Sequence, residues 1–160
     1  MTLPADFRQT FIHYATVERN DGYTRRLWIS PNALSALVAG QTFPERTMIL
    51  IEAFLTAGYD AAGQPVLGAL DPEIHASERR TTWELADMRT TSRDGDWNFA
   101  AFDSATGDSL AEGINDCFSC HEGAAGREFT FSLPLLRAYL ETGQVQQRYC
   151  DRPGREICRF

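Results

Sequence analysis

The stretch Cys117-Phe118-Ser119-Cys120-His121 constrains this chain more than any other. On a helical turn, two thiols three positions apart can reach along one edge of a flat group. The next residue then carries its imidazole toward the centre of that group. This is the spacing by which a haem is held through two thioethers, with histidine on its iron. A thioredoxin-like redox pair has the same cysteine spacing, but directly after a buried strand in a βαβ unit. Here the motif follows the loop-like Asp108-Ser109-Leu110-Ala111-Glu112-Gly113, and no such unit is visible. A zinc site needs a second ligand pair at metal-like spacing, and Cys150 and Cys158 are too far apart for the usual knuckle. The motif therefore reads as one covalent haem c, bound by Cys117 and Cys120 with His121 as axial ligand.

The 160 residues suit one domain spanning 1–160, with 43% hydrophobic and 23% charged residues as in ordinary folded chains. No apolar run approaches the roughly 18 residues that cross a bilayer. Met1-Thr2-Leu3-Pro4 leads straight into polar sequence rather than a signal peptide. Attachment of haem to such a motif takes place outside the cytoplasm, so a periplasmic protein that has lost its export signal is expected. The net charge of −7 argues against nucleic acid and anionic membrane as partners. All 15 basic residues are arginine, so the chain has no side-chain amine. Cys150 and Cys158 flank Pro153-Gly154, a turn that could bring their thiols together. The tail 144–160 is therefore expected to be closed by a disulfide in an oxidising compartment; the alternative is a reduced, mobile tail.

Phe7, Phe11 and Tyr14 recur at helical spacing and predict an amphipathic helix over 5–16. Thr24 to Ile29 reads as a strand. Ser30-Pro31 opens a short helix that Gly40 ends. Thr47 to Leu55 reads as a buried strand and Gly58 to Pro72 as a loop. Thr81 to Thr91 and Trp97 to Phe102 read as strands joined through Arg93-Asp94-Gly95-Asp96, a hairpin signal. Asp116 can cap a helix carrying the cysteine motif, and Ser132 a later helix closed by Gly143. The fold class is α+β: an antiparallel β-sheet with flanking helices enclosing one c-type haem.

Several segments, in order, resemble the cytochrome P-460 and cytochrome c′-beta family. They are Leu3 to Arg8, Arg25 to Pro31, Phe43-Pro44-Glu45-Arg46-Thr47, Asp94 to Phe99, the cysteine motif and Glu128-Phe129-Thr130-Phe131. The resemblance implies a largely antiparallel sheet around one haem, proximal His121, an open distal side and a homodimer. Members with a lysine bonded to the haem edge oxidise hydroxylamine. That lysine falls four residues after the threonine of the Phe-Pro turn, where this chain has Ile51. The turn's glycine is replaced by Arg46. The family's distal arginine matches Arg25, and a distal carboxylate of the crosslinked members matches Ala125. Loss of both amine and carboxylate speaks against hydroxylamine oxidation, since substrate oxidation needs a proton acceptor.

Alternation along a strand would put Ile49 and Ala53 on the face of Ile51, and Leu27 and Ile29 on the face of Arg25. The distal wall is then apolar with one guanidinium, which favours small neutral ligands. Arg25 would hold a haem propionate or reach a bound ligand. His13 and His75 are the remaining imidazoles, and Met48 and Met88 are candidate thioethers for a sixth ligand. Three functions follow. The first is a gas-binding cytochrome taking nitric oxide or carbon monoxide. The second is a haem enzyme, a peroxidase or an oxidiser of small nitrogen compounds in which Arg25 assists. The third is a low-spin electron-transfer cytochrome; a redox partner protein is expected in any case.

Overall fold

The computed structural model describes residues 1–19, 21–81, 96–110, 120–128 and 130–149. A one-turn helix α1 (Phe7–Thr10) precedes strands β1 (Ile12–Glu18) and β2 (Tyr23–Ile29). Helix α2 (Asn32–Val38) leads to β3 (Met48–Tyr59) and β4 (Pro65–Arg79), and β5 (Trp97–Asp103) and the short β6 (Ser109–Leu110) follow. Residues 120–122 are helical, Ala125–Arg127 form a 3-10 turn, and helix α3 (Leu133–Thr142) runs into β7 (Gln146–Tyr149). The strands form one sheet in the order β6-β5-β4-β3-β2-β1-β7. The α+β layout with flanking helices is as the sequence indicates.

Alternate residues of each strand divide this sheet into two apolar faces. On the front, Val17, Leu27, Ile29, Ile49 and Trp97 pack with Ala33 of α2 and with Leu133, Leu135 and Leu136 around α3. On the back, Trp28, Met48, Leu50, Ile74, Ala76, Ala100 and Phe102 pack with Phe7, and Leu3 and Phe11 lie against them. Two covered faces mean that the central strands read as apolar runs, as Met48-Ile49-Leu50-Ile51 does.

Three expectations are corrected. The helix over 5–16 shrinks to one turn, and a strand replaces the rest. Phe7 and Phe11 pack on the back of the sheet while Tyr14 packs on the front, so three aromatics at helical spacing never share a surface. An irregularity in the β1–β2 register between His13 and Ala15 allows Tyr14 and Ala15 both to join the front cluster. The loop expected over Gly58 to Pro72 lies mostly within the β3–β4 hairpin. Pro65 and Pro72 are tolerated there because β5 pairs only with Glu73 to Arg79, leaving the outer part of β4 one open edge. Asp60 makes the turn: its carboxylate accepts the amides of Ala62 and Gln64 at 2.9 and 2.8 Å. The sheet is also not wholly antiparallel, since β1 and β7 run parallel. All of the elements from β2 to α3 lie between them in the chain, and helix α3 leads directly into β7, so the crossover that a parallel neighbour requires is amply long.

Helix α2 starts one residue later than Ser30-Pro31 suggests. The Ser30 hydroxyl instead accepts the amide of Met48 at 2.8 Å, tying β2 to the start of β3. Ser132 stands before α3 as expected, but its hydroxyl is shared with the buried Tyr14 hydroxyl at 2.6 Å rather than with the helix. Gly143 closes α3 in the left-handed region at φ 66°. The strand expected over Thr81 to Thr91 lies outside the described residues from 82 onward, as do Arg93 to Gly95 of the hairpin signal, the Asp116 cap and the expected Cys150–Cys158 disulfide.

Arg46 shows what the missing turn glycine did. Its φ is 61°, Thr47 N–H donates to Pro44 O at 3.2 Å, Arg46 N–H donates to Arg79 O at 2.9 Å, and Arg79 N–H donates to Thr47 O at 2.8 Å. This is a β-turn running into a bulge whose first residue is left-handed, a place that glycine fills without strain. Arg46→Gly is expected to stabilise the fold by about 0.5–1 kcal/mol, because the left-handed cost outweighs a half-exposed ion pair to Glu78. A denaturant midpoint that falls instead would show that the arginine side chain contributes more than its backbone costs.

Candidate functional site: a haem-binding front face

The cysteine motif enters the described structure at Cys120, whose side chain is exposed, and His121, which follows it on the same helical turn. The His121 ring lies 4.5 Å from the ring of Phe99 and 5.3 Å from that of Phe131, tilted on the first and edge-on to the second. Phe99 belongs to the front face of β5. The imidazole is therefore oriented by aromatic packing over the sheet, between a strand residue and one from the segment entering α3. Cys117 lies outside the described residues, as do Phe129, Trp83 and Met88.

The ladders define the wall beneath His121. One row across the sheet is Ile29, Ile49, Ser77 and Phe99; the next is Leu27, Ile51, His75 and Ala101; beyond it Arg25 faces Ala53. Ile49 and Ile51 thus share the face of Leu27 and Ile29, with Arg25 at one end. The Arg25 guanidinium is already engaged. Nη2 donates to one oxygen of Asp21 at 2.6 Å and Nη1 to the other at 3.1 Å, a paired contact that planar guanidinium suits. Burial alone would raise the Asp21 carboxyl. The bond to Arg25, the Tyr23 amide and the charges of Arg25 and Arg19 outweigh that and hold it below the ordinary value. Asp21-Gly22 reads only as turn residues in the sequence, so nothing there announced this partner. Ala125 is exposed at the start of the 3-10 turn.

The sheet separates the other candidate ligands. Met48 belongs to the back face. His13 pairs with Trp28 across the strands and packs against its ring at 4.9 Å, also on the back. Burial, aided by the charge of Arg26, lowers the His13 pKa, although the Ala15 carbonyl and Glu52 favour its charged form. His75 is not in a loop but on β4, in the row of Ile51; it is exposed, with Nε2 3.3 Å from a carboxylate oxygen of Glu73. Among the described residues, no group of three His, Cys, Asp or Glu is placed to hold a bare metal ion.

These features fit a haem. There is a thiol and an imidazole on one turn, with aromatic rings against the imidazole and an apolar wall beside them. Among the described residues, two fully buried side-chain groups have no hydrogen-bond partner, the Thr47 hydroxyl and the Trp97 indole N–H. Buried polar groups are nearly always paired, so these two are exceptions within the front core. The flanking rings of Phe99 and Phe131 were not legible as site residues from spacing, which marks them as core.

No helix among the described residues is long and apolar enough to cross a membrane. Comparison with curated proteins finds no match. The family model described as cytochrome P460 matches residues 4–132, from the N-terminal segment through the cysteine motif to the start of α3. The chain is a haem-binding cytochrome and belongs to the cytochrome P460 family.

Proposed function

We propose that this protein is a periplasmic c-type cytochrome holding one haem through Cys117 and Cys120, with His121 as axial ligand, and that it binds nitric oxide or carbon monoxide. The observation that carries the reading is the wall itself: Leu27, Ile29, Ile49 and Ile51 lie together on the front face, in a chain with no lysine. When bound, the haem supplies an iron centre able to take a small diatomic ligand. The chain's residues do the rest. Phe99 and Phe131 hold the His121 ring in place. The aliphatic wall excludes water and charged ligands, because an ion loses its hydration there without compensation. Asp21 occupies Arg25, which weighs against a guanidinium free to assist peroxide cleavage. Without an amine at position 51, the lysine-dependent oxidation of hydroxylamine has no counterpart.

Optical spectra of the oxidised and reduced protein, with and without nitric oxide, test this. A high-spin ferric spectrum and a prompt shift of the ferrous form on adding nitric oxide are expected. The second reading, an electron carrier, draws on His75, which shares the front row of Ile51. A low-spin spectrum that turns high-spin in His75→Ala would establish it and overturn the first. A homodimer is part of the proposal. Leu55, Tyr59 and Val66 stand about half exposed along the β3–β4 hairpin, an apolar strip of the kind that contacts a second copy.

A further inference from the structure

Tyr14 carries a buried hydroxyl outside the haem-binding residues. It is the extra residue at the irregularity in β1, between His13, which pairs with Trp28, and Ala15, which pairs with Leu27. Such a bulge re-aims a side chain, here into the front cluster. There the Tyr14 hydroxyl meets that of Ser132 at 2.6 Å, across 118 positions of the chain. Tyr14 is fully buried and Ser132 is 8% exposed. Burial raises the Tyr14 pKa and outweighs the opposing effect of Ser132, so the phenol keeps its proton. Ser132 gives up a local role for this contact. It stands where a serine ordinarily caps a helix, yet its hydroxyl makes no cap to α3.

The residue before Ser132 is Phe131, whose ring stands edge-on to His121 at 5.3 Å. The turn that carries Phe131 is tight. Thr130 N–H donates to Arg127 O at 3.0 Å, Leu133 N–H donates to Thr130 O at 3.2 Å, and the Thr130 hydroxyl donates to Glu128 O at 3.2 Å. A shift of Ser132 is therefore passed to Phe131, and from there to the imidazole. Phe99, on the other flank of His121, belongs to the same sheet as Tyr14. The hydroxyl pair thus joins both flanks of the imidazole to one frame. We propose that Tyr14 is a positioning residue: through Ser132 and Phe131 it fixes the orientation in which the His121 ring is offered to the haem iron. This rests on His121 being the axial ligand, and adds which buried group sets its direction.

The test uses the mature, haem-loaded protein, the iron–histidine stretch of its ferrous form by resonance Raman, and thermal unfolding. Tyr14→Phe and Ser132→Ala each remove one hydroxyl. Each is expected to shift or broaden the stretch. Each should also weaken carbon monoxide binding by about threefold, less than the roughly 10–100-fold seen when a group bonded to a metal ligand is lost. The double variant leaves no unmatched hydroxyl, so its melting temperature should recover toward the parent while its stretch stays shifted. Thr24→Val controls for lost stability alone. Thr24 is fully buried on the face opposite Arg25, and its hydroxyl bonds that of Thr56 at 2.8 Å. This variant should lower the melting temperature and leave the stretch in place. A stretch unchanged in both single variants would overturn the proposal. So would one that returns to the parent value in the double variant, or that moves equally in Thr24→Val. If Tyr14→Phe fails to fold, Ser132→Ala supplies the same readout. A wild-type protein with no iron–histidine stretch would instead fail the earlier reading, so the two failures are distinct.

Discussion

Arg8→Ala is expected to lower the unfolding free energy by about 2–3 kcal/mol, more than most single surface substitutions. Glu52 is fully buried in the middle of β3, on the back of the sheet. One of its carboxylate oxygens accepts Arg8 Nε and Nη2, both at 2.7 Å, and the other accepts the Trp28 indole N–H at 2.7 Å. Removing the arginine strands a charge that only an indole then satisfies. The full cost of breaking a buried pair, roughly 3–5 kcal/mol, is discounted because the Arg8 side chain is 47% exposed and partly screened by water. Glu52→Gln keeps the shape but turns one of two acceptors into an NH2 that must face either Arg8 or the Trp28 indole N–H, and should cost about 2–3 kcal/mol as well. Guanidinium denaturation of the two variants beside the parent measures both. An Arg8→Ala cost below about 1 kcal/mol would show that the N-terminal segment is held by Phe7 and Phe11 rather than by this contact.

His121→Ala is expected to have the largest functional effect. On the proposed ligation the haem stays tethered through its thioethers while the chain loses its axial ligand. Affinity of the ferrous protein for carbon monoxide should fall by about 100-fold, the upper range seen when support of a metal ligand is lost. Added imidazole should restore most of it, since Phe99 and Phe131 leave a ring-sized space when the side chain is cut back. Titration of carbon monoxide followed by absorbance gives the affinity directly. Unchanged affinity and spectrum in this variant would remove His121 from the iron.

Strand type was legible where packing agrees with local preference. Tyr23 to Ile29 and Trp97 to Asp103 carry β-branched or aromatic residues, and each has a strand on both sides. The first segment misled because its aromatics fit a helix in spacing alone; only the sheet reveals that Phe7 and Tyr14 serve opposite faces. Residues 65–72 misled because proline and glycine mark loops unless a strand has an open edge, and sequence does not show edges. At the site, the cysteine motif was legible because the covalent attachment proposed for it demands a fixed spacing. Asp21, Phe99 and Phe131 were not. Their part depends on what stands beside them across strands and loops, which neither composition nor periodicity encodes.

The parallel pairing of β1 with β7 has a consequence for how this sheet is protected. Among the described strands, β7 comes after all the others, and it shields the flank of β1, one of the first. A chain cut back to Gly143 would leave the backbone of Ala15 to Glu18 as an open template for a neighbouring molecule. Strand β7 thus acts as a selvedge, keeping the woven edge from catching on other copies.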